Sequence, residues 1–219
     1  MPVNHLTPYG APKYVGGSAV AASVATIAAL KALEEPGDLV HGNEVAVDAD
    51  GSRWRFHSTS ALTGDDILVV TPTATAYASA GRWLRAPGRV SLRVPFTFAT
   101  ANNAALLTLP TGCAFALDRA SWYITTGFAG GSSSAIGVSS TTRSSAGDIL
   151  GGSSGDVAAV LTAGWKGGTV GTTMDTDAEL HANVFSAAEV FTFNRITSAF
   201  TSGVGYVVLT GDLLANPGA

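Results

Sequence analysis

The stretch from Glu44 to Phe56 reads EVAVDADGSRWRF, and its acidic centre has two interpretations. DADG is either a metal loop or the turn of a β-hairpin. A helix-loop-helix calcium site needs spaced oxygen ligands, Gly at its sixth position and Glu at its twelfth. Counting from Asp48, those positions hold Arg53 and Thr59, and the fifth is Ser52. Asp50-Gly51, by contrast, is a favoured pair for a two-residue type I′ turn. The hairpin is therefore expected. Its two-residue turn sets Val47 opposite Trp54 and Val45 opposite Phe56, so all four share one face while Arg53 and Arg55 point to the other. Further along, GRWLRA (Gly81 to Ala86) places Trp83 between Arg82 and Arg85. Trp54 and Trp83 are expected to fill a small β-module. The arginines beside them are expected to be solvated or to meet carboxylates across a subunit contact.

Composition narrows the function classes. Only 13% of the 219 residues are charged, and 26 are glycine, which suits faces covered by neighbours better than a freely diffusing enzyme. A net charge of −4 with no Lys/Arg run argues against nucleic acid. The most apolar stretch, SAVAASVATIAALKAL (Ser18 to Leu33), contains Lys31 and falls short of the roughly twenty residues that span a bilayer. The N-terminus lacks the basic start and apolar run of a secretory signal, so the chain is expected to be made intracellularly. Cys113 is the single cysteine, which excludes an intrachain disulfide and a cysteine zinc site. Its apolar surroundings predict a buried thiol.

Three regions are expected. Residues 1–17 hold Pro2, Pro8, Pro12, Gly10, Gly16 and Gly17 without periodicity, as an extended arm ordered by a partner or packed on its own domain. Tyr9 and Tyr14 favour contact. Residues 18–88 combine a short helix, about Val20 to Leu33 and ended by Pro36-Gly37, with strands in LVHG, EVAVDA, SRWRFHS, DILVVTP and GRWLRA. Ala86-Pro87-Gly88 reads as a hinge. Residues 89–219 alternate in short runs between Gly/Ser turns, which predicts an antiparallel, jelly-roll-like β-sandwich in a mainly β chain. There Val90, Leu92, Val94, Phe96 and Phe98 are expected on one face, and Val190, Phe191 and Phe193 suggest a bulge. GDVAAVLTAGW (Gly155 to Trp165) reads as a one- or two-turn helix.

No catalytic centre, cofactor site or metal site is expected. GGSSG (Gly151 to Gly155) matches the nucleophile-elbow pattern around Ser153, with Asp175, Asp177 and His181 following. The elbow, however, needs a parallel α/β sheet that the rest of the chain does not supply. Of His5, His41, His57 and His181, no two stand at metal-ligand spacing. His41 and His57 face each other if their strands are neighbours, and a two-histidine site across a symmetric oligomer is their metal alternative. No phosphate loop or dinucleotide fingerprint occurs, and Asp65-Asp66 reads as a turn.

An ordered set of motifs resembles a small module of tailed-bacteriophage head fibres, spikes and capsid decoration proteins. The set runs Gly37-Asp38-Leu39-Val40, Arg53-Trp54-Arg55-Phe56, Asp65-Asp66 with Val70-Thr71-Pro72, and Gly81-Arg82-Trp83-Leu84-Arg85. The proline follows the valine by one residue fewer than in that module. LLTLPTGCAF and ASWYITTGF are similar in texture to phage jelly rolls that bind receptors or cover capsids. The resemblance implies a non-enzymatic virion protein, a homotrimer at the capsid surface. Its arm (Asn4, His5, Tyr9, Tyr14) would run over a major capsid protein or other virion protein. Arg53, Trp54, Arg55, Arg82, Trp83 and Arg85 are its candidates for subunit contact. The alternative is a head-fibre, tail-fibre or spike component that binds host glycans through Trp122, Tyr123 or Trp165, although core packing is the stronger expectation for each of the three. A hydrolase built on Ser153 and His181 is the third possibility.

Overall fold

Strand pairing claims part of the alanine-rich stretch. The computed structural model describes residues 22–33, 39–130, 135–142, 147–151, 162–166, 183–196 and 199–215. In it Ala22–Val24 (β1) is a strand, and only Ile27–Lys31 (α1) is α-helical, where a helix from Val20 to Leu33 was expected. Two local facts explain the change. Thr26 is extended and its hydroxyl accepts from the Ala29 N–H, so the helix starts there. Upstream, Ala22, Ser23 and Val24 pair in parallel with Val45, Ala46 and Val47, and a sheet ladder outweighs alanine's weak helix preference.

Glu44–Val47 (β2) and Ser52–His57 (β3) form the expected hairpin with a shifted register. Val45 lies opposite Trp54 and Val47 opposite Ser52, so the turn spans Asp48 to Gly51 rather than two residues. The Asp48 and Ala49 N–H groups are drawn to the carbonyls of Val24 and Ala25. Asp50 caps the turn by accepting from the Ser52 N–H at 3.0 Å, and Gly51 takes φ +67°. A shift of two residues preserves the faces. Val45, Val47, Trp54 and Phe56 are buried together, and Arg53 and Arg55 are exposed.

Val69–Val70 (β4) and Arg82–Arg85 (β5) complete a sheet of order β1-β2-β3-β5-β4, with a single 3₁₀ turn at Thr75–Tyr77 between them. LVHG is a turn, closed by the Asn43 N–H on the Val40 carbonyl. DILVVTP is strand only at its two valines, because Asp65 Oδ1 accepts from the N–H groups of Ile67, Leu68 and Val69. Leu30 from α1 joins Trp54, Phe56, Val70 and Trp83 in the core of this module. The chain divides into two compact units, Met1–Ala86 and Pro87–Ala219.

The second unit is built from two antiparallel sheets. Gly88–Thr97 (β6), Ala104–Thr108 (β7), Ala114–Gly130 (β8), Ala135–Ser140 (β9), Leu150–Gly151 (β10), Gly164–Lys166 (β11), Val184–Phe185 (β12), Val190–Ile196 (β13) and Phe200–Ala215 (β14) supply the strands. One sheet has the order β11-β8-β14-β6, with β12 also on β8; the other has the order β10-β9-β13-β7. Strict alternation in β6 buries Val90, Leu92, Val94 and Phe96. Phe98 lies past the strand end and is 39% exposed, contrary to expectation. The bulge anticipated in β13 falls between Phe191 and Thr192, against β7. Rings join the sheets: Phe96 meets Phe193 at 5.3 Å and Phe185 meets Phe191 at 5.0 Å. Gly203, at φ +134°, leaves room for the Phe128 ring, which a Cβ there would approach to 2.3 Å. Cys113 is buried, as expected. The segment anticipated as a helix ends in strand β11, and its residues 155–161 lie outside the described residues.

Candidate functional site

The arginine-tryptophan elements are consumed within their own module. Trp54 and Trp83 are fully buried, so neither is a surface for another subunit. Arg82 is also buried. Its guanidinium donates to the carbonyls of Leu62, Tyr77 and Gly81 at 2.7–2.8 Å, fastening two loops to β5. Arg85 lies over the Trp54 ring, 3.7 Å from the Asp50 carboxylate, and donates to the Ile67 carbonyl. The carboxylate expected across a subunit contact is supplied by the same chain. Burial lowers the Arg85 pKa from its ordinary value, with Asp50 and then Asp65 opposing the shift. Arg53 and Arg55 remain outward, Arg53 beside Glu44 at 3.3 Å.

His41 and His57 do face each other, their ring centroids 4.9 Å apart. No group of three metal-ligating side chains occurs among the described residues. Nor is any helix among them long and apolar enough to cross a membrane. Ser153, Asp175, Asp177, His181 and the arm residues Asn4, His5, Tyr9 and Tyr14 lie outside the described residues.

A second constellation occupies the outer face of the β11-β8-β14-β6 sheet. Period-two geometry puts neighbouring residues on opposite faces. Trp122 therefore points inward and is fully buried against Phe96, which removes it as a sugar-stacking residue. Tyr123 points outward. Opposite Tyr123, Trp165 stands on one side and Tyr206 on the other, and Pro95 lies opposite Tyr206. These four residues form one row across four strands. Trp165 is 58% exposed. Its ring lies 5.0 Å from that of Tyr123, and Tyr123 lies 6.4 Å from Tyr206.

Beside this row is a groove of about 560 Å³, lined by Arg93, Arg119, Lys166, Trp165, Ser91 and Thr210 among others. Its far end carries Arg89, which is paired with both Asp118 and Asp212. The bulge in β8 where the β14 register shifts between Thr210 and Gly211 puts Asp118 and Arg119 both in solvent. Within the groove, Ser91 and Thr210 share a hydrogen bond of 3.1 Å, and Lys166 donates to the Thr162 hydroxyl.

Sequence reasoning found Tyr123 and Trp165 but missed Tyr206, Arg93 and Arg119. Alternation in RVSLRV could have placed Arg93 outward; nothing local announces that Tyr206 aligns with Tyr123. No protein-family model, curated protein or solved structure matches this chain.

Proposed function

We propose that this chain is a bacteriophage virion structural protein that decorates or cements the capsid. In this reading it has no enzymatic activity, is made in the host cytoplasm and works as a homotrimer at the capsid surface against the major capsid protein or another virion protein. Pro87–Ala219 then forms a jelly-roll-like β-sandwich. One observation supports the reading: among the described residues, the aromatic motifs that resemble those of phage virion modules pack around a single core. Trp54, Phe56 and Trp83 fill its centre, Arg82 and Arg85 brace it, and Arg53 and Arg55 are left outward for neighbours. Weak contacts of that kind gain strength when repeated over a symmetric lattice. Sedimentation of the purified protein, alone and with expanded phage heads, tests the proposal. A trimer that co-sediments with heads is expected; a monomer that ignores them refutes it.

A second reading is favoured by the row Trp165–Tyr123–Tyr206. Outward-facing aromatic rings aligned across a sheet, Trp165 exposed and Tyr123 and Tyr206 half-buried, suit stacking on sugar rings, as in a fibre or spike component that binds host-surface glycans. Locating the protein in purified heads or tails by mass spectrometry separates the two placements.

A further inference from the structure

We infer that the groove on the outer face of the β11-β8-β14-β6 sheet binds an acidic saccharide, with a sugar ring against Trp165 and Tyr123 and its anionic group held by Arg93, Arg119 and Lys166. This rests on the glycan-binding reading and adds the ligand's charge class. The aromatic row alone would accept neutral sugars. The second observation is a charge imbalance beside it. Among the described residues no carboxylate pairs with Arg93, Arg119 or Lys166, whereas Arg89 at the far end has two. Three like charges lining one cleft repel each other, and an entering anion relieves that repulsion. Guanidinium groups also match the planar fork of a carboxylate.

The same map limits the ligand's length of charge. Asp118 and Asp212 are held by Arg89, which lines the end of the groove away from the aromatic row. Arg89 offsets only one of the two carboxylates, so a strand with a phosphate at every unit would meet a net negative charge at that end. A sugar with an isolated acid group would not reach them. The arrangement therefore favours an acidic saccharide over single-stranded nucleic acid, although both use aromatic stacking. The groove's volume lies within the range of small-ligand sites, and the Ser91 and Thr210 hydroxyls offer partners to sugar hydroxyls.

The full chain would be screened against an array carrying both acidic and neutral glycans. Titrations would follow with sialyllactose and a hyaluronan tetrasaccharide, each against its uncharged counterpart (lactose or the carboxyl-reduced sugar), with dT10 as a nucleic-acid probe. At least one acidic probe should bind ten-fold or more tightly than its neutral form, and binding should weaken as salt rises. Trp165→Ala should abolish that binding. Arg93→Gln with Arg119→Gln should weaken it at least ten-fold while leaving near-ultraviolet circular dichroism unchanged. Equal binding of neutral and acidic forms would overturn the charge assignment and leave the glycan reading standing. So would an acidic probe indifferent to the double substitution. Tighter binding of dT10 than of any saccharide would replace this inference with nucleic-acid binding. An array with no bound glycan would remove both the inference and the reading beneath it.

Discussion

Arg85 lies directly across the β3–β5 ladder from Trp54, with its guanidinium 5.6 Å from the centre of the indole. The charge is buried, and Asp50 at 3.7 Å is its nearest counter-ion. A buried cation held this way contributes little net stability, but removing one partner leaves the other exposed to a poor environment. The asymmetry between single and paired substitution is measurable.

Arg85→Ala should cost about 2–4 kcal/mol, since it removes the ring contact, the ion pair and the bond to the Ile67 carbonyl. Arg85→Met combined with Asp50→Asn should recover most of that loss. Methionine refills the space over Trp54, and the amide oxygen introduced by Asp50→Asn would still accept from the Ser52 N–H. Urea denaturation of the native protein and the two variants decides the matter; a double variant as unstable as Arg85→Ala would contradict this account.

Two glycines with positive φ should respond very differently to alanine. Among the described residues no atom lies within 4 Å of a Cβ added at Gly51, so Gly51→Ala should cost only the left-handed strain of about 1–2 kcal/mol. At Gly203 the added Cβ would meet the Phe128 ring at 2.3 Å as well as adopting φ +134°. Phe128 cannot yield freely, because its ring lies 5.1 Å from that of Phe200 and 5.5 Å from that of Phe96. Gly203→Ala should therefore cost roughly 3 kcal/mol or more. Thermal melting of both variants compares them, and equal losses would refute the packing argument.

His57 should make the fold sensitive to mild acid. Burial, then the neighbouring charges of His41 and Arg55, hold its pKa below the ordinary 6.5, and its buried Nε2 has no hydrogen-bond partner among the described residues. The unfolded chain takes up this proton first as pH falls, so the contribution is complete above about pH 6.5 and is lost from there down through the folded-state pKa. Urea midpoints measured from pH 7.5 to 5.5 should decline more steeply for the native protein than for His57→Gln. Identical slopes would show that His57 is not responsible.

The residues of the opening hairpin illustrate how far alternation reaches. It sorts Val45, Val47, Trp54 and Phe56 from Arg53 and Arg55, whatever the register, because a slip of two residues returns each side chain to its face. It does not fix the register, which changed when the backbone of β1 drew Asp48 and Ala49 into its own ladder. Nor does it show that Arg82 would find three carbonyls inside the module, since Leu62 and Tyr77 reach it through loop closure.

From sequence alone follow the mainly β character, the faces of β3 and β6 up to Phe96, and the burial of Cys113 and the module tryptophans. Each depends on side-chain period and polarity, which are local. Tertiary structure alone decided that Trp122 turns inward while Tyr123 turns out, and that Tyr206 and Trp165 flank Tyr123. Tertiary pairing also made a strand of Ala22–Val24. The physical reason is the same in each case: alternation establishes that adjacent side chains point oppositely, but which side becomes the interior, and which distant strand lies alongside, is chosen only when the sheets pair and their rings pack.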